Sequence, residues 1–261
     1  MPDTIGSLAR RAAFAACLVF MISTRALAQE PLADPPTSPE FFSRFDFHLF
    51  AAGLKSDDDR FSWDTHWGGD FDLVDYVRGR VTFLADYEAI LGRERRAFDP
   101  SQGNYTLAMS GSLRWRDTEF TGVLHHVSRH LADRNKQPAV AMNAVIGRVM
   151  RQLDLGHDTT VALRAEAGPV IAHAYVDYTW MAAGEATLRH TVSPHVGFYN
   201  RVQSDSRGVD KALRNRNTQN GGRIETGFRF AGKSGALELF GGYEQMVDAY
   251  QIGRASCRER V

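Results

Sequence analysis

The residues with the clearest chemical potential lie in the segment 120–130, which reads Phe-Thr-Gly-Val-Leu-His-His-Val-Ser-Arg-His and holds three of the nine histidines of the chain. A serine hydroxyl becomes a useful nucleophile when a neighbouring imidazole takes its proton. His126 and Ser128 stand two residues apart, so a strand would place them on one face. They are the candidate catalytic pair. The candidate supporting residues are His125, His130 and Asp133.

The local composition favours a strand for this segment, because Gly122 and several β-branched residues disfavour a helix. Two histidines at i and i+4 on a strand are about 13 Å apart, too far to chelate one ion, so no metal is predicted here. The face depends on the preceding turn. A two-residue turn at Asp117-Thr118 would direct His126, Ser128 and His130 towards lipid, and a three-residue turn would direct them into the interior. A polar cluster in the interior is the simpler interpretation.

The rest of the chain predicts the scaffold that positions this segment. In residues 80–89, for example, apolar and aromatic side chains alternate with charged and polar ones, and similar segments recur from Phe41 onward. Charge opposite an apolar stripe, strand after strand, is typical of a membrane barrel whose outer face contacts lipid and whose lumen is wet. The fold class is therefore predicted as all-β, an antiparallel transmembrane up-and-down β-barrel of about twelve strands.

Turn residues divide this region into eleven predicted strands, near 41–54, 70–77, 80–91, 105–116, 119–131, 139–153, 159–173, 176–187, 191–203, 222–231 and 236–247. Short turns alternate with longer loops, except at a brief link near Ala174, and one turn is placed near Leu188. Because bacterial barrels of this type have even strand numbers, the twelfth strand is predicted to lie beyond a truncated C-terminus.

The two ends are predicted to lie outside the barrel. Residues 1–28 have the basic, apolar and Ala-x-Ala regions of a secretory signal peptide. Residues 29–40 form a proline-rich leader that is expected to be disordered, 41–250 form the barrel, and 251–261 resemble a translated sequencing adapter. Cys17 and Cys257 are the only cysteines, so the barrel region has none. This excludes a disulfide framework, a thiolate metal site and a cysteine nucleophile there.

The loops contain two charged clusters. The acidic run Asp57-Asp58-Asp59 could hold a divalent cation through oxygen ligands, although a solvated acidic rim is the simpler interpretation. No other cofactor is predicted. A basic group in 204–221 could contact lipopolysaccharide phosphates; it comprises Arg207, Lys211, Arg214 and Arg216. The formal net charge is zero, so no affinity for nucleic acid is expected.

Two family resemblances centre on the histidine segment. His126-Val127-Ser128, followed by Lys136-Gln137-Pro138, resembles the His-x-Ser segment of the lipid A deacylases, which are small outer-membrane barrels. The resemblance implies a serine nucleophile, a histidine base and a downstream glutamate that orients the base; here Val140 stands where that glutamate is expected. Residues 126–133 are similar to the H-x-S-x-H-L-x-D segment of a family of uncharacterised bacterial outer-membrane proteins. That similarity implies the barrel and the envelope location, with Asp133 as an acceptor that fixes the loop.

Three functions follow as expectations. The first is an outer-membrane barrel with a binding, passage or structural role and an unknown substrate. Its expected partners are outer-membrane lipids, lipopolysaccharide and the barrel assembly machinery. The second is a lipid ester hydrolase of the lipid A deacylase type that uses His126 and Ser128. The third is a soluble periplasmic barrel that binds a hydrophobic ligand inside.

Overall fold

A computed structural model describes residues 21–23, 35–55, 58–131, 140–211, 216–233, 235–245 and 259–260. These residues form a single antiparallel sheet of fourteen strands. Within the described ranges, no helix has the length and apolar character needed to cross a membrane.

Each long strand pairs with the strands that precede and follow it in the chain, so the sheet has up-and-down topology. The strands are β1 (Met21–Ser23), β2 (Glu40–Phe41), β3 (Phe45–Gly53), β4 (Trp63–Asp75), β5 (Arg80–Gly92), β6 (Asp99–Trp115), β7 (Thr118–Leu131), β8 (Val140–Gly156), β9 (Thr159–Ala174), β10 (Tyr178–Ser193), β11 (Val196–Val209), β12 (Thr218–Ala231), β13 (Ala236–Gln245) and β14 (Glu259–Arg260).

The sheet closes on itself. β3 and β13 run in the same direction, and β1 pairs antiparallel with both of them. The closed ring therefore comprises β1 and the eleven strands from β3 to β13, which confirms the predicted all-β up-and-down barrel of about twelve strands. The short β2 and β14 pair at its margins with β4 and β13. β1 lies in the predicted signal peptide and β14 in the predicted tail, and those domain boundaries remain predictions.

The eleven predicted strands correspond to β3–β13, with four corrections. Residues 204–209 and 218–221, assigned to a loop, belong to β11 and β12. Residues 63–69 and 99–104, assigned to loops, extend β4 and β6. The turn placed near Leu188 is wrong, because Leu188 pairs with Asn200 in the middle of β10 and the turn lies at residues 194–195. Pro194 cannot donate to a ladder, which explains a turn at that position. The turn between β6 and β7 consists of Arg116 and Asp117, one residue earlier than predicted.

The two faces of the barrel have opposite polarity. Large apolar side chains cover the outside, for example Leu113 and Leu124, which are 62% and 60% exposed. Charged side chains fill the inside, where Arg80 and Asp72 are both 0% exposed. Water-soluble proteins place large apolar side chains inside and unpaired charges outside, so this arrangement is inverted.

The connections differ between the two ends of the barrel. At one end, here called the short-turn end, the connections are 76–79, 116–117, 157–158, 194–195 and 232–235. At the other, here called the loop end, they include 54–62, 93–98, 132–139 and 210–217. The link 175–177 also lies at the loop end and has only three residues, so the one departure from alternating lengths that the sequence indicated near Ala174 is present.

Ion pairs fill the lumen near the short-turn end. Arg80 donates to Glu119 from two nitrogens, each at 2.9 Å. Arg114 donates to Asp75 at 2.7 Å. Across the barrel, Glu225 accepts from Tyr199 at 2.7 Å and from Arg201 at 3.0 Å. Because these groups are paired and buried, this part of the lumen is a polar core.

The lumen towards the loop end contains a cavity of about 240 Å³. Acidic residues and a histidine of β4 and β5 line one wall, namely His66, Asp70, Asp86 and Glu88. Arginines line much of the opposite wall, namely Arg129, Arg148, Arg164 and Arg207. A buried apolar cluster that includes Val127, Met142 and Tyr178 packs beside it.

Candidate functional site

The turn before β7 decides where the histidine segment points. Trp115 pairs with Thr118 across a two-residue turn, and this register places His126 opposite Leu107 and Ser128 opposite Tyr105. Leu107 and Tyr105 lie on the outer face, at 42% and 49% exposure. His126, Ser128 and His130 therefore face outward. The interpretation as an interior polar cluster is wrong, because it required a third turn residue.

The turn itself is stabilised by polar contacts. Arg151 of β8 donates to the Asp117 carboxylate at 2.6 Å. The backbone amide of Asp117 and this arginine hold the pKa of the Asp117 carboxyl below its usual value. Arg116 adopts a left-handed backbone with φ of 56°, which two-residue hairpin turns require. These contacts fix the register that directs Ser128 outward.

The Ser128 hydroxyl contacts an imidazole, although it is not the predicted one. Ser128 Oγ lies 2.9 Å from His130 Nε2. The hydroxyl donates to that nitrogen when the ring carries its proton on Nδ1. This is the contact needed to activate a serine. His126 lies on the same face, two residues before Ser128, and forms its hydrogen bond elsewhere.

Asn143 on β8 holds His126. The two residues are direct neighbours in the β7–β8 ladder, and His126 Nδ1 lies 2.8 Å from Asn143 Oδ1. An amide oxygen only accepts, so Nδ1–H donates and the neutral ring keeps its lone pair on Nε2. This is the tautomer of a general base oriented by a third group. Val140 is buried on the lumen side, so it does not occupy the position of an orienting residue.

Sequence reasoning missed Asn143, although a signal for it exists. On β8 the outward positions include Val145 and Val149, and Asn143 is a polar residue in that apolar series. Its partner could not be identified without the register between β7 and β8, because the loop that joins them gives no fixed count of turn residues.

A row of aromatic residues leads to the serine. Trp67, Tyr87 and Tyr105 are successive partners in the ladders of β4, β5 and β6, with ring centroids 4.5 Å and 4.8 Å apart. Tyr105 pairs with Ser128 in the next ladder and contacts the His130 ring edge-on at 5.9 Å. Amphipathic aromatics of this kind concentrate where a protein crosses from lipid to water.

Below this cluster, towards the short-turn end, the outer surface is indented. Gly111, Gly122 and Gly147 are successive partners in the ladders of β6, β7 and β8. A Cβ atom added at Gly111 or Gly122 would meet no atom within 4 Å. Gly122 lies on the same outward face as His126, four residues before it. The indentation here is called the glycine groove.

The predicted supporting residues do not lie together around Ser128. His130 contacts Ser128, as described above, whereas His125 faces the lumen and lines the cavity. His125 is therefore on the opposite side of the sheet from the candidate nucleophile, because it stands at an odd position in β7. Asp133 lies outside the described residues, as does the segment 136–138.

The members of the basic group predicted to contact lipopolysaccharide lie in different parts of the barrel. Arg207 lies inside the barrel, where it lines the cavity and approaches Asp205 at 3.8 Å, so its placement in an outer loop is wrong. The segment is strand up to Val209, and its odd positions face inward. Lys211 is exposed at the loop end and Arg216 is half-buried. Arg214 lies outside the described residues.

The acidic run is engaged by arginines in its described part. Asp58 accepts from Arg60 at 2.7 Å, and Asp59 lies 3.4 Å from Arg93. Asp57 lies outside the described residues. These contacts match the solvated acidic rim better than a set of cation ligands.

Comparison of the chain with protein-family models, with curated proteins and with solved structures gave no match.

Proposed function

We propose that this chain is a bacterial outer-membrane β-barrel that hydrolyses ester bonds of outer-leaflet lipids, with Ser128 as the nucleophile. The observation that carries the proposal is the hydrogen bond of 2.9 Å between Ser128 and His130 on the apolar outside of the barrel. A polar cluster that faces lipid is energetically costly, and such clusters usually serve a function.

The membrane location rests on the inverted polarity. An outward apolar surface and an inward charged one are typical of transmembrane barrels. A soluble barrel that binds a hydrophobic ligand would need the reverse, so the inversion counts against that alternative. Short turns face the periplasm and longer loops face outward in such barrels, which directs the loop end of this chain to the cell exterior. Ser128 then lies three residues below that end of β7, or about 10 Å along the strand.

The lumen favours a surface reaction over the passage of solutes. Arg80, Glu119, Arg201 and Glu225 are buried and paired in the part of the lumen near the short-turn end, here called the lower lumen. Opening a path there would leave charges without partners, which is strongly unfavourable. A role in the passage of solutes is therefore less well supported than the hydrolysis of lipid esters at the outer surface.

The cluster can perform acyl transfer through an acyl-serine intermediate. The Ser128 oxygen attacks the ester carbonyl, an imidazole takes its proton, and the lipid alcohol leaves with that proton as an acyl-serine forms. Water then releases the fatty acid by the reverse proton path. The resting contact assigns the proton acceptor to His130. His126, whose base tautomer is fixed by Asn143, is the second imidazole within the same outward face.

Location is tested first, by fractionation of expressing cells and by migration of boiled and unboiled protein in detergent gels. A folded barrel in the outer-membrane fraction should change its migration on boiling. Protein that remains in the aqueous fraction and migrates identically in both states would contradict the membrane location.

The reaction is tested with purified protein in detergent micelles, using a chromogenic acyl ester and mass spectrometry of lipid A and glycerophospholipids. Ser128→Ala should abolish turnover, and loss of the true base should lower it about 10²–10⁴-fold. Ser204→Ala is the matched control, because Ser204 is also exposed on the outer face. Equal activity of the Ser128→Ala and Ser204→Ala variants would refute the hydrolase while leaving the barrel intact. The variants His130→Ala and His126→Ala then separate the two imidazoles.

A further inference from the structure

A second cluster of chemically capable residues lies inside the barrel. Asp64 and His66 occupy alternate positions of β4, and Glu88 of β5 pairs directly with His66 across the ladder. One ligand atom from each of these three residues lies within 4.8 Å of the others. We propose that Asp64, His66 and Glu88 form a binding site for a divalent metal ion of the zinc class. The proposal is independent of the reaction at Ser128.

Asp86 orients the imidazole of this cluster. His66 Nδ1 lies 2.9 Å from Asp86 Oδ2, so the carboxylate accepts from Nδ1–H. His48 Nε2 lies 2.7 Å from the other oxygen of Asp86 and donates to it. A carboxylate that accepts from the second nitrogen of a ligating histidine is the usual outer partner in protein metal sites. In the neutral imidazole this hydrogen bond leaves the lone pair on Nε2.

That lone pair points at two carboxylates. His66 Nε2 lies 3.2 Å from Asp64 Oδ1 and 3.7 Å from Glu88 Oε1. It is buried and forms no hydrogen bond, and the whole residue is only 5% exposed. A nitrogen lone pair that faces carboxylate oxygens is repelled by them. A cation between the three atoms converts this repulsion into three attractive contacts.

The spacing suits a small divalent ion. Zinc binds imidazole nitrogen and carboxylate oxygen at about 2.0–2.2 Å in tetrahedral geometry, so two of its ligand atoms are about 3.4 Å apart. The distances of 3.2 Å and 3.7 Å from His66 Nε2 bracket that value. Calcium prefers six to eight oxygen ligands at longer distances and fits this cluster poorly.

The site would retain an open coordination position. Three protein ligands leave the fourth position of a tetrahedral zinc for water or a ligand oxygen. His66 and Glu88 line the lumen cavity, so that position would face the cavity and the arginines on its far wall. Asn104 donates to the second oxygen of Glu88, which holds this carboxylate in place.

The competing explanation is a structural ion pair in which Nε2 is protonated and no metal binds. Zinc binding by the full chain distinguishes the two. Protein without a histidine tag, folded in detergent and stripped with a chelator, should take up one Zn²⁺ per chain by elemental analysis after dialysis. X-ray absorption of the loaded wild-type protein should show a single imidazole and otherwise oxygen ligands.

Variants assign the ligands. His66→Ala and Glu88→Gln should each weaken Zn²⁺ binding at least tenfold, and Asp86→Asn should weaken it about 10–100-fold. His125→Ala is the matched control, because His125 also lines the cavity but lies outside the cluster, and it should bind as the wild type does. Failure of the wild type to bind stoichiometric zinc, or a spectrum without one imidazole, would overturn the proposal even if a variant fails to fold. Unchanged affinity in both ligand variants would also overturn it.

Discussion

Replacement of Arg80 by methionine tests whether the lower lumen is a buried polar core. Arg80 is 0% exposed, and its two hydrogen bonds to Glu119 form a bidentate pair at 2.9 Å each. The Arg80→Met variant leaves the Glu119 carboxylate buried without this partner, whereas Asp72 keeps hydrogen bonds from Thr82 and Arg44. Removing one member of a buried ion pair is destabilising by about 3–5 kcal/mol.

The expected loss is large enough to measure by urea unfolding in detergent micelles, followed by tryptophan fluorescence. With an m value of about 2 kcal/mol per molar urea, the midpoint should fall by about 1.5–2.5 M. The double variant Arg80→Met with Glu119→Met should lose less free energy of unfolding than the two single variants lose together. The reason is that the charge and its partner are removed at the same time.

The exposed pair between Arg151 and Asp117 is the matched control. Its donor–acceptor distance is only 2.6 Å, but both side chains are about half exposed. Solvent screens such a pair, so Arg151→Met should shift the midpoint far less than Arg80→Met. Equal midpoints for these two variants would refute the description of the lower lumen as a dry, paired core. A wet channel in which Arg80 is hydrated would give that result.

Three further predictions follow from local geometry. Gly122→Phe should fill the glycine groove and reduce hydrolysis of long-chain esters more than of short-chain ones, measured as kcat/KM against chain length; a uniform effect would exclude the groove from substrate binding. Because the resting contact makes His130 the proton acceptor, Asn143→Ala should leave the kcat of ester hydrolysis unchanged; a fall of about 10²-fold or more would instead assign the general base to His126. His157 and Asp158 both have positive φ, at 51° and 57°, so Asn-Gly at these positions should stabilise the barrel by about 1 kcal/mol in urea unfolding; a lower midpoint would contradict this turn geometry.

The strands of this barrel could be predicted because alternation is a local property. In β5, Val81 and Phe83 alternate with Arg80 and Thr82, and the structure places the first pair outward and the second pair inward. The period of two needs only a few neighbouring residues, so it can be recognised without the fold. The extra length of β4 and β6 could not be recognised in this way. Residues 63–69 and 99–104 extend the ladders although their composition is that of loops. Their partners on the adjacent strands determine that outcome.

The geometry of the candidate site was harder to predict from the sequence, because it depends on pairing between strands. The interval between His126 and Ser128 guarantees a shared face, but both faces of β7 mix polar and apolar residues. Outward Leu124 and inward Val123 give no preference by themselves. The register of β7 against β6 decides which face of β7 points outward. That register depends on a two-residue turn, which was predicted one residue too late in the chain. Asn143 and the cluster around His66 depend on pairing between strands, which one sequence does not encode locally.

The same period of two explains how one barrel can present two unrelated chemistries. Along β7, even positions carry Ser128 to the outer face of the barrel and odd positions carry His125 to the lumen. On β4 the outward Trp67 belongs to the aromatic row, while its neighbour His66 points at two carboxylates inside. A register shift of one residue in the β6–β7 hairpin would exchange the two faces of β7, and the same shift in the β4–β5 hairpin would exchange those of β4. The short turns therefore control the chemistry as much as the reactive residues do, and a substitution at Arg116 or Asp117 that shifts the register by one residue should carry Ser128 and His130 together from the outer face to the lumen.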